Sequence, residues 1–183
     1  MGIVSLLLVT WNSKHHLPLC LDSLEKQSYK NFEIIIVDNG SSDGGVTEDI
    51  REKYPALNIR VKKLNENKGF AVANNIGACM AKGKWLALLN ADAFPEPDWL
   101  ESLLKAAEQY PNGFFSSRQI QANEPTLLDG EGDTYHISGL AWRRHYGAWV
   151  QKRQEIEEVF SPCAAAALYP RQIFLEIGGF DED

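Results

Sequence analysis

Three short apolar runs constrain this chain most: Ile3 to Val9, Phe32 to Val37 and Trp85 to Leu89. Each is almost free of polar residues and bounded by turn signals, the pattern of a strand buried on both faces. A third strand in chain order, Ile59 to Leu64, carries two lysines and so belongs near a sheet edge. Between the runs the apolar period changes from continuous to helical. Leu17, Cys20, Leu21 and Leu24 share one helix face, with Asn12 or Ser13 as cap. A short helix is expected from Thr47 to Tyr54. A longer one is expected from Ala71 to Ala81, ended by Gly83, with Ala73, Gly77, Met80 and Ala81 as its close-packing face. Leu100, Leu103, Leu104 and Ala107 mark another, closed by Pro111-Asn112-Gly113. Strands alternating with helices predict an α/β fold, a mostly parallel sheet with helices on both faces.

Beyond this point the pattern weakens. Phe114 to Gln121 reads as a fifth strand. Ala122 to Val159 mixes aromatic, acidic and basic residues without a period, and Gln151 to Val159 reads as an exposed loop or short helix. Ser161 to Leu168 reads as a small-residue strand in the core, and Arg171 to Ile177 as a helix ended by Gly178-Gly179.

On a parallel sheet, ligands bind beyond the carboxyl ends of the strands, and those ends carry the polar clusters here. T-W-N follows the first strand, D-N-G-S-S-D the second, N-K-G-F the third and N-A-D the fourth. The turn after the first strand has no glycine, so the G-x-G-x-x-G dinucleotide cradle is missing, as is a Walker loop. A nucleotide would have to be held otherwise. Trp11 offers a face for a flat base, or packs in the core. Asp38 accepts from a base or ribose, or caps a turn. Asp92, with Asn90 two residues before it, offers oxygens to a hard divalent cation carrying a diphosphate, or simply forms a turn.

The bulk numbers narrow the class. A net charge of −7 argues against a nucleic-acid-coating protein. Three scattered cysteines, Cys20, Cys79 and Cys163, read as buried thiols of a reducing compartment, so a cytoplasmic location is expected. No apolar run approaches the ~18 residues of a membrane span. His15 and His16 read as capping or surface residues.

The blocks V-T-W-N-S, E-I-I-I-V-D-N-G-S-S-D-G, N-E-N-K-G-F-A-V-A-N-N-I-G, L-L-N-A-D-A, P-C-A-A-A-A-L-Y and F-L-E-I-G-G-F-D-E-D together resemble the family 2 inverting glycosyltransferases over nearly the whole chain. The resemblance implies a GT-A fold, a nucleotide-diphosphate-sugar donor, and a divalent cation, Mg²⁺ or Mn²⁺. It implies that Thr10, Trp11 and Asn12 line the base pocket and that Asp38 binds base or ribose. Asn67, Lys68, Gly69, Phe70 and Asn75 match the block that closes over the nucleoside. Asp92, beside Ala91, matches the last acid of the family's D-x-D metal motif, and Asn90 replaces the first acid with a weaker ligand. The N-x-G-F-A-x-A-N-N pattern is most similar to the rhamnosyltransferase-like members, which use dTDP-rhamnose to build bacterial surface polysaccharides. His136, Arg143, Arg144 and His145 fall in a stretch similar to their acceptor-side insert. There they would contact an anionic acceptor or the diphosphate, or lie on a solvated loop.

In the family the general base follows G-G-F-D-E, so it is expected beyond Asp183, with Asp181 and Asp183 in a structural turn. The expected organisation is one GT-A domain, 1–183, truncated at the C-terminus. Residues 1–121 form the nucleotide-sugar-binding half, and 122–183 begin an incomplete acceptor-binding half. The acceptor is a glycan or a lipid-linked glycan, which implies a peripheral place at the inner face of the membrane. Self-association through an exposed edge is a further expectation. Two rival readings are a non-catalytic nucleotide- or glycan-binding module and a nucleotidyltransferase. The missing glycine-rich loop counts against the second.

Overall fold

The computed structural model describes residues 3–151 and 156–183. In chain order the elements are β1 (Val4–Thr10), α1 (Leu17–Glu25), β2 (Phe32–Asp38), α2 (Ile50–Lys53), β3 (Ile59–Lys63), α3 (Gly69–Met80), β4 (Trp85–Asn90) and α4 (Trp99–Gln109). They continue with β5 (Phe115–Ser116), β6 (Gln119–Ile120), β7 (Leu128–Gly130), β8 (Asp133–Tyr135), β9 (Ala141–Arg143), β10 (Ala166–Pro170) and α5 (Arg171–Glu176). The main sheet has the order β3-β2-β1-β4-β10-β5. Its first four strands are parallel, and β10 and β5 extend it antiparallel. β3 lies at one edge, in keeping with its two lysines.

Alternation within each strand divides the core into two layers. Leu6, Leu8, Ile34, Ile36, Ala87 and Leu89 face α1, α2 and α4, and the helix faces read from the sequence are the buried ones. Leu7, Ile35, Val37, Leu86 and Leu88 face α3 and α5. α3 lies close to the sheet because its inner face is small. A Cβ at Gly77 would sit 3.3 Å from Val37 and 3.4 Å from Leu7.

Several boundaries differ from the sequence expectation. α1 starts at Leu17 with Pro18 in its first turn, so neither Asn12 nor Ser13 is its cap. The Ser13 carbonyl instead accepts from the His16 and Leu17 N–H groups, and Asn12 takes a left-handed conformation (φ 52°). Gly83 does not end α3, which is capped at Ala81. Gly83 is there because the chain crosses β1 closely: an added Cβ would lie 2.5 Å from Ser5 N and 2.8 Å from Ile3 O. A Gly83→Ala variant is therefore expected to lose about 2 kcal/mol in urea unfolding, since backbone on both sides must shift.

The single strand expected over Phe114 to Gln121 is broken. The chain leaves the main sheet after Ser116, where Ser117 accepts from the Trp99 indole (2.8 Å) and Arg118 pairs with Glu131 (2.8 Å). β6 and β7 then form one small antiparallel pair and β8 and β9 another. The expected core strand over 161–168 is shifted to Ala166–Pro170. Of the stretch Gln151 to Val159, residues 152–155 lie outside the described ones, and 156–158 are exposed without regular structure. Cys20 is buried, but Cys79 is exposed on the outer side of α3 and Cys163 is half-buried, so the three do not all serve the core. Among the described residues no helix is long and apolar enough to cross a membrane.

Candidate functional site

Parallel register brings the polar strand ends to one edge of the sheet. Thr10 pairs with Asp38, Asp38 with Lys63, and Val9 with Asn90. β1 has β2 on one side and β4 on the other, so this edge is a topological switch point, where a crevice opens between the outgoing loops.

The loops are laced together by side chains the sequence places at the strand ends. The Asn12 N–H donates to Ser41 Oγ (3.0 Å), and Asn12 Oδ1 accepts from the Ser42 N–H (2.9 Å). Asp43 accepts from the Lys14 N–H (2.8 Å) and the Gly45 N–H (2.9 Å). The first of these bonds leads in holding its carboxyl below the usual carboxylate range. Asp38 is buried and accepts from the Ser41 N–H at 3.0 Å. Asn39 connects this pair of loops to the next one. Its amide donates to Asn67 Oδ1 (2.9 Å) and the Gly69 carbonyl (3.1 Å), and its Oδ1 accepts from the Lys68 N–H (2.9 Å). Gly40 makes that approach possible, because a Cβ there would lie 2.5 Å from the Glu66 carbonyl carbon. Sequence pattern did not single out Asn39. Only its place in D-N-G-S-S-D hinted at it, and its near-complete burial cannot be read from a turn-rich string.

Around this frame stand the groups a ligand can use. Trp11 is 56% exposed at the end of β1, so it is not a core residue. Thr10 Oγ1 is buried with no hydrogen-bond partner among the described residues, a state that costs about 1–3 kcal/mol until a partner arrives. Lys68 is exposed and weakly paired with Glu66 (3.7 Å), Gly69 has φ +84°, and Phe70 is 45% exposed at the start of α3. Asn75 is different. Its amide is fully engaged by the segment after α5, with Nδ2 donating to the Phe180 carbonyl (2.9 Å) and Glu182 (2.8 Å) and Oδ1 accepting from the Phe180 N–H (2.9 Å).

On the other side of β1, Asn90 closes β4, Ala91 is buried, and Asp92 is exposed in the turn that follows. The Asp92 carboxylate makes no hydrogen bond or ion pair with any described residue. It is close enough to Cys20 to assist burial in pushing that thiol up to about 12. No group of three or more His, Cys, Asp or Glu that could hold a metal ion occurs among the described residues. A hard divalent cation takes six or more oxygens. The donor set of Asp92 and Asn90 therefore fits a cation shared with phosphate oxygens and water, not one caged by protein.

The basic residues of 136–145 are spoken for. Arg143 pairs with Asp129 (2.6 Å), Arg144 with Glu157, and His145 with Glu131 (2.8 Å), while His136 bonds Ser138 within its own turn. They brace the two small β pairs.

The family model described as Glycosyl transferase family 2 matches residues 5–178. A putative glycosyltransferase of Bacillus subtilis, EpsH, is 38% identical over 57% of this chain and 30% of its own length. Glycosyltransferase GlyA of Streptococcus pneumoniae is 30% identical over 98% of this chain and 27% of its own length. This chain thus spans less than a third of the length of those relatives. Among solved structures, the mannosyltransferase PcManGT of Pyrobaculum calidifontis, in complex with GDP-Man and Mn²⁺, superposes with a TM-score of 0.73 at 21% identity. The match covers all of this chain and 48% of that one, and it supports the GT-A architecture. The chain belongs to glycosyl transferase family 2.

Proposed function

We propose that this family 2 domain binds a nucleotide-diphosphate sugar at the strand-end edge and transfers the sugar, with inversion, to a glycan or lipid-linked acceptor. The observation that carries the reading is the meeting, at one switch point, of an exposed Trp11, a buried Asp38 and an exposed Asp92 that no described residue pairs. Trp11 stacks on the base, and Asp38 takes a hydrogen bond from base or ribose. Thr10 Oγ1 gains its missing partner, and the Asn67–Phe70 loop, held in shape by Asn39, covers the nucleoside. A divalent cation, Mg²⁺ or Mn²⁺, shared between Asp92, Asn90 and the diphosphate would neutralise the charge that builds on the leaving group. Asp92 is committed to that task, so the acceptor hydroxyl is deprotonated by a carboxylate or histidine outside the strand-end cluster.

In this reading residues 1–121 serve the donor and 122–183 begin the acceptor side. We take dTDP-rhamnose as the donor, because Asn67 to Asn75 matches the rhamnosyltransferase-like pattern. A cytoplasmic place for the reaction rests on the free cysteines, and a peripheral place at the inner face of the membrane on a lipid-linked acceptor. The test is release of nucleoside diphosphate from dTDP-rhamnose, UDP-GlcNAc and GDP-mannose with Mn²⁺ present. Fastest release from dTDP-rhamnose supports the full reading. Preference for another donor overturns the rhamnosyl assignment alone, and no release from any overturns the transferase reading for this chain.

Trp11 supplies a separate check. Base stacking on an aromatic side chain contributes about 1–3 kcal/mol, so Trp11→Ala is expected to weaken nucleotide binding roughly tenfold or more. The midpoint of thermal unfolding should stay unchanged, because the indole covers little of the core.

A further inference from the structure

We propose that Asn75 is a positioning residue that couples the Asn67–Phe70 loop to the acidic segment Asp181-Glu182-Asp183, so that a nucleotide ordering the loop also orders that segment. The inference rests on the donor site proposed above and assigns Asn75 a role apart from touching the nucleoside.

Its basis is the way α3 is fastened at two places. At its start, Asn39 grips Asn67, Lys68 and Gly69 through three hydrogen bonds. One and a half turns later, Asn75 grips the chain 105 residues further on, meeting both the N–H and the carbonyl of Phe180 at 2.9 Å. A carboxamide that exchanges two hydrogen bonds with one peptide residue mimics a strand pairing and fixes that residue in position and direction. The third bond, from Nδ2 to Glu182 (2.8 Å), ties the middle acidic side chain of the segment to the same helix.

The backbone is shaped for this contact. Gly178 and Gly179 both have positive φ (92° and 79°), and a Cβ on Gly179 would lie 2.3 Å from Asn75 Oδ1. An aromatic contact runs parallel to the polar one. Phe180 lies 5.6 Å from Phe70, the first side chain of α3, and 5.2 Å from Phe174 of α5. Phe70 and Asn75 thus hold Phe180 from two positions on one helix, and the loop that would close over the nucleoside begins at the same helix end. A shift of α3 on loop closure must carry residues 180–182 with it. Coupling of this kind needs one element whose position both sites bias, and α3 meets that description.

Amide hydrogen exchange at Phe180 reads the coupling directly, because its N–H is held by Asn75 and not by a nucleotide. UDP, GDP and dTDP, each with Mn²⁺, are titrated first to find one that binds. The expected result is exchange at the Phe180 amide at least tenfold slower when that nucleotide is bound to this chain. In Asn75→Asp, which keeps the shape and Oδ1 but loses both Nδ2 bonds, the nucleotide-induced slowing should be largely lost. Asn75→Ala should abolish it. Nucleotide binding that leaves Phe180 exchange unchanged overturns the coupling while the donor site stands. So does slowing that survives intact in a folded Asn75→Asp protein. Failure of all three nucleotides to bind folded wild-type chain removes the donor site, and the coupling falls with it.

Discussion

Asp92→Ala is expected to weaken nucleotide binding in the presence of Mn²⁺ by roughly tenfold, as far as removing the metal does, and to slow sugar transfer by roughly 100-fold or more, while the folded protein keeps its unfolding midpoint. Both halves follow from the same fact. The carboxylate is exposed and makes no hydrogen bond or ion pair with any described residue, so nothing in the fold depends on it. Yet it stands in the turn after β4, where the sheet switches direction, and among the described residues Asn90 is the one other ligand in the proposed donor set. An amide oxygen is a weaker ligand than a carboxylate, and Asn90 cannot hold the cation alone. Calorimetric titration with and without Mn²⁺, paired with a thermal melt, checks both halves. A variant that melts early would show that Asp92 shapes the turn. A variant that binds as well as wild type would remove it from the site.

The second large effect lies at the opposite end of the sheet and concerns stability alone. Glu33 is a charged residue in β2 with 2% of its surface exposed. Its carboxylate accepts from Ser5 Oγ (2.7 Å), the Lys82 N–H (2.8 Å) and Arg60 (3.3 Å). Ser5 Oγ also accepts from the Gly83 N–H at 2.8 Å. This network joins β1, β2, β3 and the turn between α3 and β4. Burial alone would raise the Glu33 carboxyl, but the Ser5, Lys82 and Arg60 bonds and the Arg60 charge outweigh it and hold the group below its ordinary value.

Glu33→Ala strands several buried donors at once, and the expected loss is about 3 kcal/mol in urea unfolding at neutral pH. The pH dependence has a definite sign. A carboxyl with a depressed folded pKa stabilises fully above its unfolded value, and this contribution is lost as pH falls through the folded one. Glu33→Gln, which cannot ionise, should therefore be less stable than wild type at neutral pH. The gap should narrow below the ordinary glutamate range. A gap that is constant with pH would mean that the charge contributes nothing.

The two ends of the sheet also show what a single sequence discloses. Val4–Thr10, Phe32–Asp38 and Trp85–Asn90 were legible because strands buried on both faces leave unbroken apolar runs. The helix faces of α1 and α4 were legible because burial follows period. The strand-end clusters stood out because polar residues after such runs need a reason. β7, β8 and β9 were not legible. They are three residues long: β7 buries Leu128 and Gly130 around Asp129, an alternation too short to stand out, and Ala141, Trp142 and Arg143 of β9 are all exposed. Gly83 looked like a helix stop and is a crossing point, since a glycine required by another strand's backbone reads like one required by a turn.

Asn75 shows the same limit within the site. A motif can say that an asparagine belongs on α3, but its three hydrogen bonds go to residues more than a hundred positions away. Such contacts exist only in the folded chain. Asn39 is the converse case, a residue the turn-rich string made unremarkable and the fold made central.

The most direct measurement of the central claim is a calorimetric titration of this chain with UDP, GDP and dTDP, each with Mn²⁺ and again with the metal chelated. The account predicts that at least one nucleoside diphosphate binds with 1:1 stoichiometry and that chelation weakens the binding by roughly tenfold or more. dTDP is expected to bind most tightly if the donor is a dTDP sugar. Protein shown by circular dichroism to be folded, yet binding none of the three, would contradict the assignment of the strand-end edge as a nucleotide-sugar site.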